Sequence, residues 1–128
     1  MQTFLHYFLH LIFPLFIAWV FFRKNWKNVY FILLATMLVD VDHLFANPMF
    51  QANRCSINFH FLHSYYAIVF YVFLLFFRKP FSIIGIGLLF HMATDFLDCV
   101  MTYSNCNSCL EGAPALSWVK AAAGFLGF

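Results

Sequence analysis

Residues 81–101 form an apolar run whose polar side chains include His91, Thr94, Asp95 and Asp98. The run is long enough to cross a bilayer as a helix, which takes about 20 residues. Positions i, i+4 and i+7 of a helix share a face, so His91, Asp95 and Asp98 predict one polar stripe. A carboxylate at the bilayer centre costs about 2.5–3.5 kcal/mol on insertion scales. Two carboxylates and an imidazole at that depth need compensation, and a shared cation supplies it.

Composition agrees with a membrane setting. Only 9% of the 128 residues are charged and 64% are hydrophobic, against about 25% charged in soluble domains. Such a chain cannot coat a water-exposed surface, so the expectation is one all-α integral membrane domain. Twenty Phe residues suit lipid contact. A formal charge of +2 is too small to call for nucleic acid or another polyanion.

Hydropathy and breakers predict four transmembrane helices over about residues 3–22, 28–46, 59–77 and 81–101. The first lacks a basic leader and a small-residue cleavage site, so a retained helix is expected. Pro14 predicts a kink in it. Asn47-Pro48 and Arg78-Lys79-Pro80 end the second and third helices. Gly85 and Gly87 predict close packing of the fourth. The remainder, 102–128, is a Cys-containing tail with a short interfacial helix near 115–128. That helix is too short to span.

Arg23, Lys24, Lys27, Arg78 and Lys79 fall in the two loops of one side, and Arg54 and Lys120 on the other. The positive-inside rule then places both termini outside, in the periplasm if the membrane is a bacterial inner membrane. With that topology the candidate ligands share one depth. His6 and His10 lie near the outer end of the first helix; Asp40, Asp42 and His43 end the second. His60 and His63 begin the third, and His91, Asp95 and Asp98 lie in the outer half of the fourth. Unrelated buried polar residues would scatter in depth, so one common site is expected.

Imidazole with carboxylate suits zinc, manganese or iron. The metal candidates are His6, His10, Asp42, His43, His60, His63, His91 and Asp95. They outnumber the ligands of one ion, so two or more ions bridged by aspartate are expected. Asp40 and Asp98 are the candidate general base or bridging carboxylates. Ser64 is expected to support the site, and Tyr65 and Tyr66 to pack or anchor at the interface. Arg54 is a candidate phosphate partner. Cys55, Cys99, Cys106 and Cys109 all fall on the outer side, where disulfides are the leading reading. Cys55 and Cys99 can join the second loop to the fourth helix, and Cys106 and Cys109 can pair; spacing leaves the pairing open.

The ordered series is an early His, Asp40-Val41-Asp42-His43, His60-Phe61-Leu62-His63-Ser64 and His91-Met92-Ala93-Thr94-Asp95. It resembles the bacterial inner-membrane metal-dependent hydrolase family with a LexA-regulated member. The third motif is shorter here than in that family, and Phe61 stands where the family has Arg. Over about residues 4–101, with Asn53-Arg54-Cys55, the chain looks more like a small membrane family of Bacteroidota. The hydrolase family is in turn distantly similar to zinc phospholipases C and single-strand nucleases. The resemblance implies a zinc-dependent hydrolase that cleaves a phosphoester or lipid-linked substrate at the outer leaflet. The alternative class is a non-catalytic metal or proton site of a transporter, channel subunit or sensor. Bis-His haem ligation is a third reading, which the many acids disfavour.

Overall fold

The computed structural model describes residues 2–45 and 55–127. The described residues are helical, with no strand among them. Helix α1 is Gln2–Phe21, α2 is Arg23–Phe45, α3 is Tyr65–Leu74, α4 is Phe81–Asn105 and α5 is Leu116–Leu126. Three of them, α1, α2 and α4, are long and apolar enough to cross a membrane. The expected third span over 59–77 is only partly helical, since α3 covers ten residues.

Helix α4 touches each of the other four helices, so it is the axis of the bundle. Two glycines make that possible. A Cβ at Gly85 would lie 3.0 Å from Leu74 Cβ and from the Tyr71 carbonyl on α3. A Cβ at Gly87 would lie 2.7 Å from both Thr36 side-chain tips on α2. The close packing expected of this pair is therefore real, and each glycine serves a different neighbour.

Local sequence shapes the two helices that carry ligands. In α1, Pro14 has no N–H to give, and its ring would crowd the carbonyl four residues back, at His10. The chain widens just ahead of Pro14. Residues Phe8–Ile12 form a π turn, closed by Phe13 N–H donating to the Phe8 carbonyl. In α2, residues Thr36–Phe45 wind as a 3-10 helix, with about three residues per turn and side chains eclipsed at i and i+3. Three faces result. Thr36, Val39 and Asp42 are buried; Met37, Asp40 and His43 are half-buried; Leu38, Val41 and Leu44 are exposed and apolar. An ordinary α-helix would set Asp42 about 120° around the axis from Thr36, so the tighter winding keeps the carboxylate in line with the buried face.

The segment before α3 is stapled down. Cys55 and Cys99 form a disulfide, and both are buried. Cys106 and Cys109 form the second. Ser64 caps α3, accepting from Ala67 N–H at 3.2 Å. Ser64, expected to support the site, serves as this helix cap instead, a position well suited to serine. Tyr66 is 90% exposed, whereas Tyr71 donates to the Leu62 carbonyl at 2.9 Å and holds the segment ahead of its own helix.

The helices alternate in direction. Arg23 and Lys24 line the same cavity as Lys79, so the α1–α2 and α3–α4 junctions meet at one end. The histidines and aspartates occupy the other. Helix α5 packs on α4 through Val119 and Ala123, which gives the tail the short helix expected of it. Arg54, the candidate phosphate partner, lies outside the described residues.

Candidate metal centre

Four ligand atoms from three segments meet inside the bundle. They are Asp40 Oδ1 on α2, His63 Nε2 ahead of α3, and His91 Nε2 and Asp95 Oδ2 on α4. His63 Nε2 lies 3.3 Å from His91 Nε2, 3.5 Å from Asp40 and 3.1 Å from Asp95. His91 Nε2 lies 3.1 Å from Asp40 and 3.5 Å from Asp95. A tetrahedral ion with bonds of about 2.0–2.1 Å sets its ligands about 3.3–3.4 Å apart. The observed edges bracket that value.

Hydrogen bonding fixes which ring nitrogens face the centre. His63 Nδ1 sits 3.1 Å from Asp42 Oδ2, and His91 Nδ1 sits 3.4 Å from Met37 Sδ. Both partners are acceptors, so the neutral rings carry their proton on Nδ1. With both rings neutral, each Nε2 would direct a lone pair toward the other and toward two carboxylate oxygens, and a divalent cation at the centre would be shared by all four. Without one, a proton on either Nε2 would be shared with Asp40 and Asp95. The carboxylate behind His63 is the usual outer partner of a metal-bound imidazole. Asp42 Oδ2 also accepts from Leu62 N–H at 2.9 Å, which fixes the carboxylate itself.

Two further groups flank the first. His6, His10 and Asp95 form one. His10 Nδ1 donates to the His6 carbonyl at 2.9 Å, leaving Nε2 turned inward, 3.6 Å from Asp95 Oδ1. That separation is too long for a hydrogen bond and suits two ligands of one ion. His10 Nε2 and His6 Nδ1 are buried without a hydrogen-bond partner among the described residues. Asp95 thus offers Oδ2 to one group and Oδ1 to the other, as a bridging carboxylate does. Asp42, His43 and His60 form the third group. His43 Nδ1 lies 3.1 Å from Asp42 Oδ1, and its Nε2 lies 3.0 Å from Ser56 Oγ.

The structure brings the expected ligands together, with two departures. Asp40, expected as a base or a bridging carboxylate, is a member of the four-atom cluster, in keeping with the second of those roles. Asp42, expected as a ligand there, orients His63 and contributes to the third group instead. Asp98 stands apart: Gln2 Nε2 donates to its Oδ1 at 2.9 Å and to Thr102 Oγ1 at 2.8 Å. Asp98 shares a helical face with His91 but lies seven residues on, about 10 Å along the axis. Its contact ties α1 to α4 and takes no part in the cluster.

Met37, Ser56 and Gln2 touch site residues without having been expected to. Met37 is the one with a sequence signal, because Met37, Asp40 and His43 recur every three residues, the 3-10 period. Exposure is uneven around the cluster. The His63 and His91 side chains are sealed, whereas that of Asp40 is 44% exposed. The cluster opens along Asp40.

A family model covers all of these residues. The chain belongs to the DUF6122 family. That family is of unknown function, and the match runs over residues 1–102. It takes in every candidate ligand and stops before the Cys106–Cys109 disulfide and α5. No curated protein and no solved structure matches the chain.

Proposed function

We propose that this DUF6122 protein is a membrane-embedded, metal-dependent hydrolase acting on a phosphoester or lipid-linked substrate at the outer leaflet. The observation that carries the reading is the four-acceptor cluster with both imidazole Nδ1 atoms already engaged. Zinc fits its donor set and its spacing best. Asp40, His63, His91 and Asp95 would hold one ion; His6, His10 and the far oxygen of Asp95 would hold a second. Such ions lower the pKa of bound water to about 7 and polarise a phosphoryl or acyl oxygen.

The protein's own groups do the rest. Asp42 and Met37 keep the two imidazoles in the ligating tautomer. Asp40, at the open edge, is the group an entering substrate meets first and can accept a proton there. The exposed apolar face Leu38, Val41 and Leu44 borders that edge, which suits a substrate arriving from lipid.

The same proposal includes four membrane crossings, with about residues 59–77 as the third, and both termini outside a bacterial inner membrane. The cation-rich end then faces the cytoplasm. Two disulfides with no free cysteine fit an oxidising exterior.

One observation favours the transporter or proton-relay alternative. The titratable groups form a continuous series, from His6 stacked 4.2 Å from His10, through Asp95, His63 and Asp42, to His43. Among the described residues the series does not extend to the cavity of Arg23, Lys24 and Lys79 at the other end of the bundle. That disfavours a relay through the bundle and leaves hydrolysis the better reading.

The test is hydrolysis of phospholipid or lipid-linked phosphoester in mixed micelles, with zinc restored after chelation. Zinc-dependent product release that disappears in Asp40→Asn supports the proposal. Tightly bound metal with no hydrolysis across both substrate classes, together with metal or proton flux in liposomes, would support the alternative.

A further inference from the structure

The opposite end of the bundle holds a second feature, independent of the metal centre. A cavity of about 570 Å³ lies between the α1–α2 junction and the start of α4. Arg23, Lys24 and Lys79 stand at its rim, and Val29, Ile32 and Ile83 line its apolar side. The chain's five acids are Asp40, Asp42, Asp95, Asp98 and Glu111. None of them lines this cavity, and no ion pair between a lysine or arginine and an acid occurs among the described residues. Among the described residues, therefore, no acidic side chain neutralises these rim cations.

They are nevertheless positioned. The Arg23 guanidinium lies 5.4 Å from the Trp19 ring centre, and Lys79 Nζ lies 5.0 Å from that of Phe22. An aromatic face holds a cation without cancelling its charge. Asn25 and Asn28 add amide donors to the same lining. Two chain segments far apart in sequence thus supply fixed positive charge above an apolar slot between helices. Basic pockets of this kind on the cytoplasmic side of membrane proteins take anionic lipid headgroups.

We infer that this cavity binds one anionic phospholipid, its headgroup phosphate on Arg23, Lys24 and Lys79 and an acyl chain along Val29, Ile32 and Ile83. Charge complementarity selects the headgroup, and the apolar wall makes a diacyl lipid a better occupant than a free phosphate.

Native mass spectrometry of the full chain in detergent tests this, with phosphatidylglycerol and phosphatidylcholine as probes. Phosphatidylglycerol should form a one-to-one adduct and phosphatidylcholine should not. Arg23→Gln and Lys79→Gln should each weaken that adduct about fivefold. Lys27→Gln removes one charge from the same end but outside the cavity lining, and should leave it intact. Helical circular dichroism and intact disulfides report that each variant is folded. Equal weakening by Lys27→Gln, or equal binding of the two lipids, would show only a diffuse surface charge and overturn the inference. Displacement of the lipid by inorganic phosphate at the same concentration would assign the site to a free anion and overturn it as well.

Discussion

His63 Nε2 and His91 Nε2 face each other at 3.3 Å, while the Nδ1 of each is turned to an acceptor, Asp42 Oδ2 for His63 and Met37 Sδ for His91. Together with Asp40 Oδ1 and Asp95 Oδ2, the two Nε2 atoms enclose a space of the size a tetrahedral metal ion needs.

The carboxylate behind His63 gives the first prediction. Asp42→Asn keeps the size of the side chain but weakens its grip on the imidazole Nδ1–H. Loss of such an outer partner typically costs 10–100-fold in metal affinity. Competition with a zinc chelator should show that weakening with stoichiometry retained at saturating zinc. Unchanged affinity would remove Asp42 from the site.

Asp40 and Asp98 should behave oppositely, although both are acids on ligand-bearing helices. Asp40→Asn should lower metal affinity and abolish hydrolysis. Asp98→Ala should leave bound metal unchanged and cost only the modest stability of one hydrogen bond, about 0.5–1.5 kcal/mol. Metal lost equally from the two variants would contradict the separation seen between Gln2-bound Asp98 and the cluster.

Gly87 sets how closely α4 approaches the 3-10 stretch of α2. A Cβ there would lie 2.7 Å from Thr36 Oγ1 and Cγ2. Gly87→Ala should therefore destabilise the bundle by about 1–3 kcal/mol through overpacking, read as a lowered thermal midpoint in detergent. The double variant Gly87→Ala, Thr36→Ala should recover most of the loss, because it removes the atoms that clash. Failure of that recovery would put the strain elsewhere.

The two disulfides should differ in worth. Cys55–Cys99 spans a sequence separation of 44 and Cys106–Cys109 spans 3. Loop-closure entropy predicts about 4 kcal/mol for the first and about 2 kcal/mol for the second. Cys99 lies one helical turn beyond Asp95, and Cys55 leads into the segment bearing His63. Replacing Cys55 and Cys99 with serine should lower both thermal stability and metal affinity, whereas replacing Cys106 and Cys109 should touch metal affinity little.

Much of this site is legible in the sequence because membrane burial makes polar residues conspicuous. His91 and Asp95 announce themselves within an apolar run, and the common depth of His6, His10, Asp40, His43 and His63 follows from counting residues along four apolar segments. What spacing conceals is local winding. Thr36, Val39 and Asp42 line up because residues 36–45 adopt a three-residue period. Apolar spacing does not announce that period, nor the division of work between Asp40 in the cluster and Asp42 behind His63. The sharing of Asp98 by Gln2 and not by the cluster depends on how α1 leans on α4, which no single-chain pattern encodes. The third helix is shorter than its apolar run because Ser64 caps it late, after Phe61–His63 has turned to deliver His63.

The most direct test is elemental analysis of the purified, folded protein beside His91→Ala. The account predicts at least one equivalent of zinc or another divalent metal in the native chain, and its loss from His91→Ala with helical content and both disulfides intact. Folded native protein carrying less than one equivalent after incubation with zinc would contradict it, as would His91→Ala that retains the full complement.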